Sequence, residues 1–563
     1  MNKKNLLDQI IKLFKNKKYK EVIIEIEKNF DFKNISPALL NLSAISKLLK
    51  KNNTKDDIVS ALDDLERYYK KSENKLEKIE AVTNYITTCV INCAKYSEII
   101  EYFKKATKLY EKCVNQFGYD EKLYSRGSDL YKYTLEINKS RKILSELIQK
   151  KSTSKITACA NGYLNNYSYD WGLKEYFEYS KVFKFFFPQH ETKNISEINY
   201  KENKKIKIGF ISKDFIGDHS ITYFLKNTLL YFDKYKFESF GISLSNDNLL
   251  KSSSEIKDNF DNWLDLSKLK NQQIIDKIQD LRIEILIDLM GLFHADRIEI
   301  FNSRIAPVQI SWLGYPNTVG FPTIDYLIAD DNLIKKDEEK YYLEKILRIS
   351  KIWNCHSGFE FKRKFRDAPI KKNKFITFGS FNNFLKISDE VIEVWSNILK
   401  SIKNSKLILK SSLNVNKNVL LQKFKKYGVH ESIDFYEKKD FLNHKDHLDL
   451  YKKIDIALDT FPYNGVTTTF EALWSGVPVI TMKGFNMNSR CGESILKNAN
   501  LDNLISHNKS DYLGAALYYS NNPEKLNDLR KLIHTNILTT SLFDSKRFSN
   551  DFQNVLLNVY KKN

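Results

Sequence analysis

Nine short runs of β-branched and aromatic residues, each too brief for a helix, dominate the last two thirds of the chain. They are KIKIGFIS (205–212), FESFGISLS (237–245), EILIDLMG (284–291), VQISWLGY (308–315), KFITFGSF (374–381), SKLILKSS (405–412), ESIDFYEK (431–438), KIDIALDT (453–460) and VPVITMKG (477–484). Amphipathic segments separate many of them, such as EVIEVWSNILKSI (390–402), VLLQKFKKYG (419–428) and HKDHLDLYKK (444–453). Runs that are apolar throughout suit strands buried on both faces, and their alternation with helices is the grammar of parallel βαβ units. A charged, irregular stretch at 331–372 interrupts the pattern. The expected fold class is therefore α/β, with two tandem Rossmann-like domains at 204–372 and 373–545. Ligands in such sheets bind at the C-terminal ends of the strands.

Before residue 195 the grammar is different. Apolar residues recur at three- and four-residue steps in LLDQIIKLFKNKKYKEVIIEIEKNF (6–30), LLNLSAISKLLKK (39–51) and YSEIIEYFKKATKLYEKCV (96–114). KLFKNKKYKEVI (12–23) is echoed by KLLKKNNTKDDIV (47–59), 35 residues on, and by CAKYSEII (93–100). That spacing is close to the ~34-residue tetratricopeptide period. The expectation is an all-α, tetratricopeptide-like domain at 1–195 that presents a groove or supports the α/β region. Helices are expected at 523–537 and 548–560, with residues 546–563 closing the chain.

Composition narrows the function classes. The net charge is +20, but lysines are spread over every surface segment, so the balance predicts attraction of an anionic substrate rather than a nucleic-acid partner. No apolar run approaches the ~20 residues of a membrane span. Charges interrupt the basic N-terminus, which reads as an amphipathic helix rather than a secretory signal. Six scattered cysteines fit reduced thiols and a cytoplasmic location.

The candidate chemistry lies in four places. In LDTFPYNGVTTTFEALWSGVPVITM (458–482), Gly465 and three threonines, Thr467, Thr468 and Thr469, stand where a strand gives way to a helix. Helix N-termini carry free amides and positive dipole ends, so hydroxyls and a close-approach glycine there suit a diphosphate. The competing reading is an ordinary threonine N-cap. Glu471, one turn in, is a candidate for a ribose. In FGSFNNFLKIS (378–388), Asn382, Asn383 and Lys386 follow a strand, where a lysine can neutralise a departing phosphate. His447 sits before the threonine loop as a base- or phosphate-contacting histidine; His444-x-x-His447 lacks further ligands, and no metal is expected. In SKDFIGDHSITYFL (212–225), Asp214 and His219 follow the first strand, and His219 is a candidate general base. His294 is a second candidate in the same cleft. The chain has no GxxxxGK[ST] or GxGxxG motif, which argues against an NTPase or a dinucleotide oxidoreductase.

Taken together, IGFISKDFIGDHSITYF, RIAPVQISWLGYPNTVGFPTIDYLIADD, FITFGSFNNFLKIS and IALDTFPYNGVTTTFEALWSGVPVITM resemble the O-GlcNAc transferase family, and most closely its SPINDLY-type branch. The resemblance spans Lys204 to about Ile505. It implies a two-Rossmann (GT-B) glycosyltransferase with tetratricopeptide-like helices in front, a nucleotide sugar as donor substrate, UDP-GlcNAc by default, and no cofactor. By position it implies Lys386 and Asn383 at the donor diphosphate, His447 on the nucleotide, Thr467 and Thr468 on phosphate, Glu471 on the ribose and His219 as a debated base. The chain departs from many relatives in carrying Leu292 after Gly291, where they have His, and His444 where some have Lys. The implied reaction is inverting transfer to Ser or Thr hydroxyls of a protein or peptide acceptor. Protein N-glucosylation from UDP-glucose, O-fucosylation from GDP-fucose and a non-catalytic helical-repeat scaffold are the alternatives.

Overall fold

Two compact units make up the chain, one from residues 1–153 with 412–422 and one from 154–411 with 423–563. The computed structural model describes residues 3–31, 34–93, 95–96, 99–150, 155–186, 204–217, 219–245, 254–359, 362–410, 414–437 and 443–562.

The N-terminal unit is helical. Its described helices run Lys3–Lys15, Tyr19–Asn29, Pro37–Leu49, Lys55–Lys71, Lys75–Asn92, Ile100–Phe117, Glu121–Tyr133 and Ile137–Gln149. Local sequence starts several of them: Ser36, Thr54, Asn74 and Asp120 each accept a backbone amide as N-cap, and Thr54 and Asp57 complete a capping box. The first two echoed stretches are turns between helices, each with one left-handed residue, Lys17 at φ +59 and Asn52 at φ +60. The third echo includes residues outside the described set. Inside the unit, Lys47 Nζ lies 2.6 Å from Asp64 Oδ2, and Ser43 donates to the same oxygen at 2.8 Å. Both charges are buried. Removing one partner strands the other, so Lys47→Ala is expected to destabilise this unit by about 3–5 kcal/mol, measured by chemical denaturation.

The second unit holds two all-parallel sheets. The first contains β1 (Ile206–Ser212), β2 (Phe237–Ser243), β3 (Asn262–Asp265), β4 (Ile285–Asp288), β5 (Val308–Ser311), β6 (Tyr326–Ala329) and β7 (Lys345–Arg348), in the order β3-β2-β1-β4-β5-β6-β7. The second contains β8 (Thr377–Ser380), β9 (Lys406–Lys410), β10 (Ile433–Tyr436), β11 (Ile456–Leu458), β12 (Val479–Met482) and β13 (Ile505–Ser506), in the order β10-β9-β8-β11-β12-β13. Both orders are doubly wound, and the direction of winding reverses between β1 and β4 and between β8 and β11. All nine apolar runs contain strands. Four strands lie outside those runs. β3 and β7 are edge strands that keep a solvent-facing side, and β7 falls within the charged interval at 331–372.

Helices Lys155–Asn165 and Leu173–Phe186 belong to the unit with the sheets. Helical periodicity is the same whichever unit a helix joins, so the sequence reading grouped them with the N-terminal helices. Asn166 shows what holds them: its side chain donates to Tyr315 Oη at 2.8 Å and accepts from Asn317 at 3.0 Å. Its carbonyl accepts from Asn488 at 2.8 Å. One residue thereby ties both lobes together. The span between 195 and 204, where the domain change was expected, lies outside the described residues. The last helix, Ser545–Lys562, crosses back to the first lobe, where Phe548 and Phe552 pack on Trp312 and Ser549 donates to Thr228 O.

Candidate active site

A cavity of about 470 Å³ opens between the lobes. Its walls are the loops that follow β1, β4, β5 and β7 in one lobe and β8 and β11 in the other. Asp214, His219 and His294 line one side; Asn382, Asn383 and Lys386 line the other with Tyr463, Thr467 and Thr468. The loops after β1, β4, β8 and β11 flank the two switch points, so topology alone gathers these residues.

The threonine loop is built around Asp459, which ends its strand. The Asp459 carboxylate accepts from the amides of Gly465 at 2.6 Å and Thr460 at 2.9 Å and from Thr481 Oγ1 at 2.6 Å. Burial pushes this carboxyl up to about 6 against the pull of those donors. Gly465 has no room for a side chain: a Cβ there would meet Thr468 Oγ1 at 2.5 Å and Asn382 Oδ1 at 2.9 Å. The helix Thr467–Trp474 begins immediately afterwards. Its N-cap is Val466, which provides no side-chain cap. The threonines are therefore not the cap; the Thr469 amide donates to Val466 O at 3.0 Å, and a helix start with no side-chain cap suits an anionic ligand. Thr468 Oγ1 donates to Asn382 Oδ1 at 3.0 Å and Thr469 Oγ1 to Gly465 O at 3.2 Å, while Thr467 faces the cavity.

Lys386 reaches this loop from the other strand end. Its ammonium donates to Asn464 O at 2.7 Å and sits 3.9 Å over the Tyr463 ring. Burial lowers its pKa to about 8, although Asp459 acts in the opposite direction. Tyr463 is backed in turn by Tyr167, 5.2 Å away between centroids.

His447 and Glu471 form a second group that does not line the cavity. Their side chains meet at 3.0 Å, Tyr451 Oη donates to the same carboxylate at 3.2 Å, and His444 Nε2 lies 3.6 Å from its other oxygen. Burial works to raise the Glu471 carboxyl, but His447, Lys410 and His444 outweigh it and hold it at about 2. The two histidines of the HxxH spacing thus converge on one carboxylate.

The family model of glycosyl transferase family 41 matches residues 186–357 and 364–552, the larger part of the chain. The chain belongs to glycosyl transferase family 41. Among curated relatives, a SPINDLY protein of Solanum lycopersicum, described as a probable UDP-N-acetylglucosamine--peptide N-acetylglucosaminyltransferase, is 29% identical over 411 residues. That match covers 72% of this chain and 43% of the relative. The SEC protein of Arabidopsis thaliana, described in the same words, is 29% identical over 61% of this chain and 36% of its own length. This family 41 chain therefore spans about two fifths of the length of these relatives. Among solved structures, a mutant of the Thermobaculum terrenum O-GlcNAc transferase superposes with a TM-score of 0.75 at 21% identity. It covers 95% of this chain and 99% of that one. The likeness extends the shared fold to the helical region.

In this family 41 chain, the candidates His219, Asn383, Lys386, Thr467 and Thr468 all line one cavity, and Gly465 packs directly behind it. His447 and Glu471 lie deeper, bound to each other. The sequence reading did not single out Tyr463 or Asp459. Both stand inside the quoted 458–482 stretch, and an acid ending a strand one turn before a glycine is a signal for a loop organised by that carboxylate. The partnership of Asp214 with His294 spans 80 residues and left no local trace.

Proposed function

We propose that this protein is an inverting, metal-independent glycosyltransferase that moves a sugar from a nucleotide sugar to Ser or Thr hydroxyls of a protein or peptide. The observation that carries this reading is the meeting of Lys386, the uncapped N-terminus of Thr467–Trp474 and the Thr467 and Thr468 hydroxyls at one inter-lobe cavity. Each of these groups stabilises negative charge, and the donor diphosphate gains charge as its bond to the sugar breaks. Donor carbon and acceptor oxygen meet in the cavity between the lobes, which both lobes line.

GlcNAc on UDP is the default donor, because the family 41 relatives carry that activity in their names. A peptide acceptor agrees with the same descriptions, which name a peptide, and a Ser or Thr hydroxyl is the acceptor that the family resemblance implies. No helix among the described residues is long and apolar enough to cross a membrane.

A panel of nucleotide sugars tests the proposal. Release of UDP from UDP-GlcNAc, with sugar transferred to peptide, is the expected result. Nucleoside diphosphate binding with no sugar released from any donor would leave a scaffold instead of an enzyme.

A further inference from the structure

We propose that His294, held by Asp214, takes the proton from the acceptor hydroxyl, and that His219 supports the pair instead of acting as the base. This inference rests on the transferase reading above.

His294 Nε2 lies 2.9 Å from Asp214 Oδ1. A carboxylate only accepts, so Nε2 carries the hydrogen and the neutral ring keeps its lone pair on Nδ1. The His294 side chain lines the cavity. His219 is arranged the other way. Its Nδ1 accepts the Ile221 amide at 3.4 Å while capping the helix Ser220–Leu230. Neutral His219 then carries its hydrogen on Nε2, which points to the same Asp214 oxygen at 3.9 Å. In that tautomer the one lone pair of the ring is on Nδ1, which already accepts the Ile221 amide, so none is left for an incoming hydroxyl.

The surroundings favour the assignment. Burial opposes the charge on Asp214, but the His294 hydrogen bond and the nearby His219 and Lys213 outweigh it and keep its carboxyl below the usual range. An ionised Asp214 fixes the His294 tautomer and stabilises the imidazolium that forms on proton uptake, as an orienting carboxylate does in other base pairs. Among the described residues, Asp288, buried at the end of β4, and the Lys213–Asp296 ion pair also lie near the dyad. The loop position of His294 is itself set by topology, since β4 is the neighbour of β1 across the switch point.

The step balances without a co-reactant. The acceptor O–H gives its proton to His294 Nδ1, and an oxygen lone pair forms the new bond to the anomeric carbon. The bond from that carbon to the diphosphate oxygen breaks, and its electron pair leaves with the nucleoside diphosphate toward Lys386. The His294 proton is then lost to solvent.

The test uses the full chain and the donor that the wild type turns over, read as nucleoside diphosphate release with peptide or water as acceptor. His294→Ala is expected to lower kcat by roughly a hundredfold or more. Its KM for the donor and its thermal stabilisation by UDP should stay within about twofold of wild type. Imidazole added to the buffer should restore part of the lost rate, which a merely structural defect would not allow. Asp214→Asn should reduce kcat with KM preserved, and His219→Asn should cost less than either. A folded, nucleotide-binding His294→Ala protein that turns over near the wild-type rate overturns the assignment. So does imidazole rescue of His219→Ala without rescue of His294→Ala. A wild type inert toward every nucleotide sugar would instead overturn the transferase reading itself, and the base assignment with it.

Discussion

Lys386→Ala is expected to slow sugar release by about a hundredfold or more while the protein stays folded, the scale of losing one preorganised stabiliser of transition-state charge. The reason is geometric. Lys386 leaves the second lobe just after β8 and is pinned by a carbonyl and an aromatic face, Asn464 O at 2.7 Å and the Tyr463 ring at 3.9 Å. Neither partner neutralises it. Its charge is therefore available where the diphosphate develops charge, and it needs little reorganisation to act. Substitution removes a group that does more for the transition state than for the bound donor, so kcat should fall further than KM rises. Because burial lowers this lysine to about 8, a pH profile provides a second readout. The ammonium is present below that value and is lost as pH rises through it. In the free enzyme, kcat/KM should therefore decline on the alkaline side from about pH 8. A folded Lys386→Ala protein with near-wild-type turnover would remove this residue from the mechanism.

Glu471→Leu is the second substitution with a large expected effect, this time on stability. Glu471 is 4% exposed and is the shared acceptor for His447 and Tyr451. Lys410 lies 3.4 Å from His447 and feels the same carboxylate. Removing the acid leaves a cation and two polar groups in a closed space, which costs about 3–5 kcal/mol. The wild-type protein should show the same group in its acid response. The carboxyl stands at about 2, below its ordinary 4.5. A depressed pKa means that the stabilisation is complete above the ordinary value and is lost as pH falls through the depressed one. A contribution on the order of 3 kcal/mol should thus fade between about pH 4.5 and pH 2, and Glu471→Leu should lack that segment of the stability curve. Denaturant melts across that window check both statements. Equal stability of the two proteins at pH 7 would show that the network is not holding the lobe.

Much of this was legible in the residues. β-branched runs separated by amphipathic segments carried the two parallel sheets, because a strand buried on both faces must be apolar throughout. The edge strands β3 and β7 were harder to see because they have a wet side, and Lys345 and Arg348 sit within β7 itself. The helices 155–165 and 173–186 read correctly as helices and joined the sheets instead of the N-terminal unit. Helical periodicity records that one face is buried and says nothing about what buries it. At the site, Lys386, Asn383 and the threonines were visible because each follows a strand in a loop of its own lobe. The exclusion of threonine as the cap was not visible, since which residue occupies the N-cap position depends on where the backbone turns, and here that residue is Val466.

The sequence by itself determined nine of the strand segments and the polar groups that follow several of them. Such information is local, carried by period and by a few turn and cap residues, and one chain is enough to read it. Only the tertiary structure decided how groups far apart in the chain are divided among tasks. It set Asp214 against His294, turned Nδ1 of His219 onto the Ile221 amide, and buried Glu471 between two histidines and a tyrosine. These relations depend on distances of a few ångströms between loops 20 to 80 residues apart, and nothing in the linear order of residues encodes them.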